Sequence, residues 1–554
     1  LESFPGLQRT KIDTSKSFFD AVNPIKDQLP VWNDEMYYEY HRGTYTSQAR
    51  TKMHNRLTEL GMRQAEILAS MAVDGVDAEY PYEDILEAYK IILRNQFHDI
   101  MPGTSIKAVF DDCEEEYAHV LDIIDKIQDN AIGTLTKAGE PEEITVFNSL
   151  SWERLGHVRV DIPEGLEEAR IVDEQGNEIH SIIDGNEIEF EACVPALGSR
   201  IYRIEPKPAT ENISIKVSEN TLENKFYKIA LDKGGNLISV YDKRKECEVL
   251  EDGKPSNLLQ IFEDKPCCET AWNIDLEYQN KGWDLVEGHV EVIEQNSIKG
   301  VVRVTKTFNL STIIQDITIY SSIPRIDFKT RVDWQETEKM LKAAFNVNVL
   351  SSKATYEIQF GAIERPTHWN TTYDKAKFEV CGHKWADLSE GGYGVSLLND
   401  SKYGYDIKEN CMRITLLRAP IDPDPVADKG IQEFCYSLYP HKGDFIEGKT
   451  VNAGYELNVP LLAMPGRVML EGGSYAKISR ENVIIDTIKC AEDKNGIIIR
   501  VYESSGIRGN TTIVLSTTPE KVYECNLMEE NEELIEVKGN TFRFDIKPFE
   551  IKTF

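Results

Sequence analysis

A chain of 554 residues with 41% hydrophobic and 28% charged residues is too long for one core and too apolar for extended disorder, so about three or four domains are expected. Its formal net charge of −32 repels phosphate backbones and anionic lipid, which excludes nucleic acid and membrane surfaces as partners but suits a neutral ligand such as a sugar. No run of roughly eighteen apolar residues is present to span a bilayer.

The first thirty residues offer one amphipathic helix, about Ser15–Val22. It cannot form a domain alone and reads as the tail of something that continues upstream of Leu1. A chain that starts at Leu is expected to be a processed product or a piece. Next, Tyr38-Glu39-Tyr40-His41-Arg42-Gly43-Thr44-Tyr45-Thr46 places rings, a carboxylate, an imidazole and a guanidinium within nine residues. Sugars are bound by apolar faces with hydrogen-bonding rims, so this mixture suits a glycan pocket, although a polar loop with a structural Arg–Glu pair reads equally from the residues.

Three helical patterns follow. Met53, Leu57, Leu60, Ile67, Leu68 and Met71 mark the first stripe. Ile85, Tyr89, Ile92 and Gln96 mark the second. Ile106, Val109, Phe110, Cys113, Tyr117, Val120, Leu121 and Ile124 mark the third, with Thr104 or Ser105 as N-cap. Short connections, one carrying Pro102-Gly103, predict an antiparallel three-helix bundle. His98-Asp99 closes the second helix, and His98 falls about 200° from Gln96, off the core face. A neutral imidazole there is available as a Zn²⁺ ligand, and a histidinium would equally complement the helix C-terminus.

From Glu143 onward short β-branched and aromatic runs take over: Glu143–Phe147, Glu187–Val194, Phe226–Leu231, Val301–Phe308 and Ile313–Tyr320. Turn chemistry such as Asp232-Lys233-Gly234-Gly235-Asn236 separates them, predicting several β-sandwich layers. Glu205-Pro206-Lys207-Pro208 reads as a linker, and a change near Asn452–Pro465 opens a final sandwich. Within this β region, Ala271-Trp272-Asn273-Ile274-Asp275 and Lys384–Asp400 set aromatics beside carboxylates, a pattern that packing and turn caps explain by themselves. No phosphate-binding glycine motif and no G-x-S-x-G elbow occurs. Ten cysteines, with Cys267–Cys268 the adjacent pair, lack disulfide-scaffold density and zinc-finger spacing. Buried, reduced thiols of a cytosolic protein are expected.

Taken together, the segments resemble glycoside hydrolase family 38, the class II α-mannosidases, and most of all its bacterial branch. The Tyr38–Thr46 run, Asn95–Thr104, Val146–Trp152, Phe226–Lys243, Asp333–Phe345, Gly361–His368, Ala386–Asp400 and Leu416–Pro420 with Pro423-Asp424-Pro425 occur in family order. The most specific are His41-Arg42-Gly43-Thr44-Tyr45-Thr46 and Gln96-Phe97-His98-Asp99. The resemblance implies a multidomain architecture: residues 1–40 as the remnant of an α/β catalytic domain and 41–135 as a three-helix bundle. Mainly antiparallel β-sandwich domains then follow, a small one at 140–206, a large one at 207–450 and a C-terminal one at 451–554.

It further implies one Zn²⁺ per complete active site, with His98 as one of four ligands, beside a His and an Asp of an early His-x-Asp motif and the nucleophilic Asp. Asp99 would hydrogen-bond sugar hydroxyls, and His41, Arg42 and Tyr45 would line the mannose subsite. Arg418, Trp272 and Asp275 would approach the same pocket. The chain contains no His-x-Asp and no segment resembling the nucleophile, and the acid/base Asp precedes the stretch that begins at Phe4-Pro5-Gly6-Leu7. Glu39 is the one substitute acid suggested, by location alone. The expectation is therefore a part of a zinc-dependent retaining α-mannosidase acting on terminal α-mannosides, inactive alone, its missing N-terminal catalytic domain supplied elsewhere. The expected partner is a mannose-containing glycan, with self-association left open, in the bacterial cytoplasm. A stand-alone carbohydrate-binding or scaffold β-sandwich protein is the alternative from another class.

Overall fold

The computed structural model describes residues 5–554 except 7, 9, 138–141, 164, 165, 167, 211, 212, 469–472, 531 and 532. Phe4 and Leu7, on which the position of the upstream acid was placed, lie outside the described residues. The chain forms two units, Leu1–Glu39 and Tyr40–Phe554.

In the first unit, helix α1 occupies Ser15–Val22, the bounds its sequence predicts. Thr14 caps it by accepting the Ser17 N–H at 3.2 Å, and Lys16 reaches Asp20 one turn on at 2.6 Å. Phe18 and Phe19 meet edge to face yet stay exposed, and α1 buries no residue. A 3-10 turn, Asn23–Gln28, follows with Pro24 in its first turn, and no strand occurs among the described residues of this unit.

The second unit starts with three helices, α2 (Ala49–Val76), α3 (Tyr82–Asn95) and α4 (Lys107–Leu135). The α3 and α4 stripes bury as their periodicity predicts, with Ile85 and Ile92 meeting Val120, Ile123, Ile124 and Ile127 in one cluster, except that Ile106 is the exposed N-cap of α4. The first half of α2 departs from expectation. Leu57 is exposed, while Thr51, Lys52, Asn55, Arg56 and Thr58 are buried. Arg56 on that polar face reaches the β-structure, donating to the Tyr403 hydroxyl at 3.0 Å and to Asn458 Oδ1 at 3.1 Å. Farther along, Arg63 donates to the carbonyls of Ser149 and Ile485, and Gln64 to that of Pro460. Thus α2 bonds to segments from three different β-layers. Its C-terminal half is ordinary apolar packing, with Ile67, Leu68 and Met71 joining Val483, Ile485, Phe542 and Phe544 in one core.

Antiparallel sheets make up the remainder. A five-stranded and a three-stranded sheet built mainly from 143–205 enclose Val146, Val158, Ile188, Phe190 and Tyr202. A nine-stranded and a six-stranded sheet form the large sandwich, where Phe328 and Tyr436 of one meet Phe345 of the other. The Asp232 turn forms as its sequence predicts, with Oδ1 accepting from the backbone of Gly234 and Asn236 at 2.9 Å. The expected boundary at 451 is crossed. Residues 450–458 are a helix, and strand Leu462–Pro465 returns to pair with Glu143–Asn148 of the small β-domain before the final sandwich begins. Trp385, in the segment read as packing, is fully buried and stacks on Phe445.

Candidate active-site segments

The entry to α2 is a 3-10 turn, Glu39–Tyr45, kinked at His41. Beyond it Gln48 adopts φ 59°, so the first N–H groups of α2 need an acceptor from outside. Asp428 supplies it: its two carboxylate oxygens take the N–H groups of Gln48 and Ala49 at 2.9 and 2.7 Å, and Asp424 takes the Gln48 side-chain amide at 2.8 Å. Asp428, just beyond the Pro423-Asp424-Pro425 motif, thereby caps a helix nearly four hundred residues upstream of it, something no local capping signal reveals.

Three further segments converge on this entry. Arg418, at the end of strand Cys411–Arg418, is fully buried. It donates to Asp264 at 2.8 Å, to Ser47 Oγ at 3.1 Å, and to the carbonyls of Ala271 and Asn273 at 3.0 and 2.8 Å. Its Nη2 also lies 2.7 Å from Asp264 Oδ2. A side chain so fully engaged positions its neighbours. Gly43 donates its N–H to the Trp272 carbonyl at 2.7 Å, and a Cβ at Gly43 would run into the Arg418 guanidinium. The loop 267–275 is thus locked to residues 43–47. Trp272 is half-buried, and the Asp275 carboxylate accepts the Cys267 N–H at 2.9 Å.

The other side is the His98 turn. Helix α3 ends at Asn95, before His98, so the imidazole sits in the turn and not in the helix, and its side chain is 77% exposed. Gly103 closes the turn at φ 82°, with its Cα against the backbone of Ser47, where any Cβ would clash. Lys52, buried on α2, bridges the two segments, donating to the carbonyl of Ser47 at 2.5 Å and that of Met101 at 2.9 Å. Burial drives its pKa down to about 7, with Asp428 opposing, and a neutral amine still has two N–H groups for those two carbonyls. Thr104 does not cap α4, whose N-cap is Ile106 with no side-chain bond. Its hydroxyl donates instead to Asp99 Oδ1 at 2.9 Å, fixing the carboxylate whose Oδ2 lies 3.6 Å from His98 Nε2.

Of the other predicted site residues, Arg42 is buried. It donates from Nε and Nη2 to the Ala376 carbonyl and lies over the Phe378 ring at 4.2 Å. His41 and Tyr45 are half-buried on the same turn, and Glu39 is exposed at the end of the first unit. The residues sequence reasoning missed are Ser47, Lys52 and Asp428. Lys52 stands in the polar face of α2, and a charged residue flanked by others gives no sign of burial.

Zinc can be tested against these residues. His98 fits as a single imidazole donor. Among the described residues, however, no group of three His, Cys, Asp or Glu side chains is arranged to hold a metal ion, so the described residues form no complete zinc site.

Residues 39–135 match the alpha mannosidase middle domain, 222–426 the glycosyl hydrolases family 38 C-terminal domain, and 482–554 the C-terminal beta sandwich domain of the same family. The chain belongs to glycosyl hydrolase family 38, of which it carries the middle and C-terminal domains. It is 32% identical over 611 residues to alpha-mannosidase G of Dictyostelium discoideum, covering 100% of this chain and 55% of that protein. To human alpha-mannosidase 2C1 it is 31% identical over 576 residues, covering 100% and 53%. It thus spans about half the length of these curated relatives. An alpha-mannosidase from Enterococcus faecalis V583 shares the fold at a TM-score of 0.80 and 16% identity, over 97% of this chain and 71% of that one.

Proposed function

We propose that this chain forms one wall of the active site of a zinc-dependent retaining α-mannosidase that removes terminal α-mannosides from glycans, with nucleophile and acid/base supplied by a domain outside residues 1–554. The observation that carries the reading is the His98 turn: an exposed imidazole on a segment pinned to Ser47 by Gly103 and Lys52. Its support is a chain whose relatives are named alpha-mannosidases.

Each residue then has a role set by its partners. His98 contributes one neutral nitrogen to a metal whose other ligands come from outside the chain, and the metal, when bound, supplies Lewis-acid stabilisation of the sugar hydroxyls. Asp99, oriented by Thr104, accepts from a sugar hydroxyl. His41, Arg42 and Tyr45 border the sugar on the opposite segment, and Trp272 offers a ring face. Arg418 and Asp275 hold the loop that carries Trp272. A cysteine content without disulfide-scaffold density or zinc-finger spacing supports placement in the bacterial cytoplasm, where thiols stay reduced.

The test measures zinc content and aryl α-mannoside hydrolysis of residues 1–554 and of the native polypeptide that contains them. The proposal expects neither zinc nor turnover from residues 1–554 alone, and both from a longer polypeptide, with turnover abolished by a chelator. Turnover by residues 1–554 alone would refute the assignment of the carboxylates to another domain.

A further inference from the structure

Cysteine is among the residues most often buried, and Cys113 and Cys490 follow that rule. Cys267 and Cys268 break it, and with it the expectation of buried thiols. Both are exposed, and the Cys267 thiol donates to the Cys268 sulfur at 3.7 Å. Their backbone is held on both sides, by the Asp275 carboxylate accepting from Cys267 N–H at 2.9 Å and by the Asn273 side-chain amide donating to the Cys268 carbonyl at 3.2 Å. Glu269 follows at φ 52°, its carbonyl taking the N–H groups of Trp272 and Asn273 at 3.0 Å. The proposed glycosidase chemistry uses neither thiol.

We propose that Cys267 and Cys268 are a vicinal dithiol modification site, closed reversibly to a disulfide by a low-molecular-weight disulfide oxidant. One cysteine, as thiolate with its proton lost to solvent, attacks an oxidant sulfur and expels one small thiol. The second cysteine thiolate then attacks the mixed disulfide and expels the other small thiol. The protein loses two protons and two electrons, and the oxidant gains both as two thiols. Adjacent Cα atoms lie about 3.8 Å apart, below the roughly 4.4–6.8 Å of ordinary disulfides, so the ring is strained and readily reduced again.

Closure draws sulfurs now 3.7 Å apart to about 2.05 Å, which turns the intervening peptide and pulls the Cys268 carbonyl from Asn273. The Asn273 carbonyl holds Arg418, and the Trp272 carbonyl holds Gly43, so oxidation loosens the anchorage of residues 43–47.

The experiment treats the full chain with oxidised glutathione and follows intact mass, a non-reducing peptide map and amide exchange. The expected result is loss of two hydrogens in the peptide bearing both cysteines, reversed by dithiothreitol, with exchange at Gly43 roughly tenfold faster and the β-sandwich core unchanged. Cys267→Ser and Cys268→Ser, at exposed positions, should fold normally and each retain a stable glutathione adduct on the remaining thiol. Unchanged mass at both residues, or a lasting adduct on the wild-type pair, would overturn the dithiol site. Closure with unaltered Gly43 exchange would overturn its link to the loop.

Discussion

Arg418 and His98 both lie on motif segments of the same family, and the structure treats them in opposite ways. Arg418 is fully buried, its guanidinium shared among Asp264, Ser47 and two backbone carbonyls. His98 is 77% exposed on a turn, near the carboxylate of Asp99. A cation buried this completely is retained by the bonds it makes, so its work is to fix the shape of the wall. An exposed imidazole on a turn that the rest of the molecule holds still contributes little to folding and is available to something else. The two sites therefore separate the stability of the scaffold from its chemistry, and substitutions should respect the division.

The largest stability effect is expected at Arg418. Arg418→Ala strands the buried Asp264 carboxylate and leaves the Asn273 carbonyl without its donor, a loss of about 3–5 kcal/mol by urea denaturation. A loss under ~1 kcal/mol would mean that the knot is not structural. Gly43→Ala attacks the same knot from the other side and is expected to cost about 1–3 kcal/mol, since the guanidinium has no room to move.

Lys52 sharpens the comparison through pH. Burial lowers its pKa in the folded state to about 7, so between that value and the ordinary lysine range of the unfolded chain the unfolded state binds the extra proton. Its contribution therefore makes stability rise with pH above about 7, by up to ~1.4 kcal/mol per pH unit. Lys52→Met should remove that slope, read by denaturation between pH 7 and 10 (about the titration window). An unchanged slope would show that Lys52 stays charged in the fold. His98→Ala should have the smallest effect on folding, within about 0.5 kcal/mol.

How much of this was legible depended on whether a signal was local. Helix α1 follows from its local pattern, and the bundle and strands such as Glu187–Val194 follow from their apolar and β-branched runs, which send Ile92, Val120, Ile188 and Phe190 into cores. The first half of α2 misleads for the opposite reason. Its buried face is Lys52, Asn55 and Arg56, bonded by groups outside the helix, those of Arg56 hundreds of residues away, while Leu57 faces outward. The return of Leu462–Pro465 to the small β-domain and the capping of α2 by Asp428 are likewise pairings between distant segments that no window contains. Motif order pointed to His98, Asp99 and Arg418 together. It did not distinguish the presented residue from the embedded one, since burial is a property of the fold.

The most direct test of the account is turnover of an aryl α-mannoside by the native polypeptide containing residues 1–554, wild type against His98→Ala, with thermal unfolding of both monitored. The account predicts a fall in turnover of at least ~100-fold together with loss of bound zinc and an unchanged melting temperature. Full activity and full zinc content in a folded His98→Ala protein would contradict it.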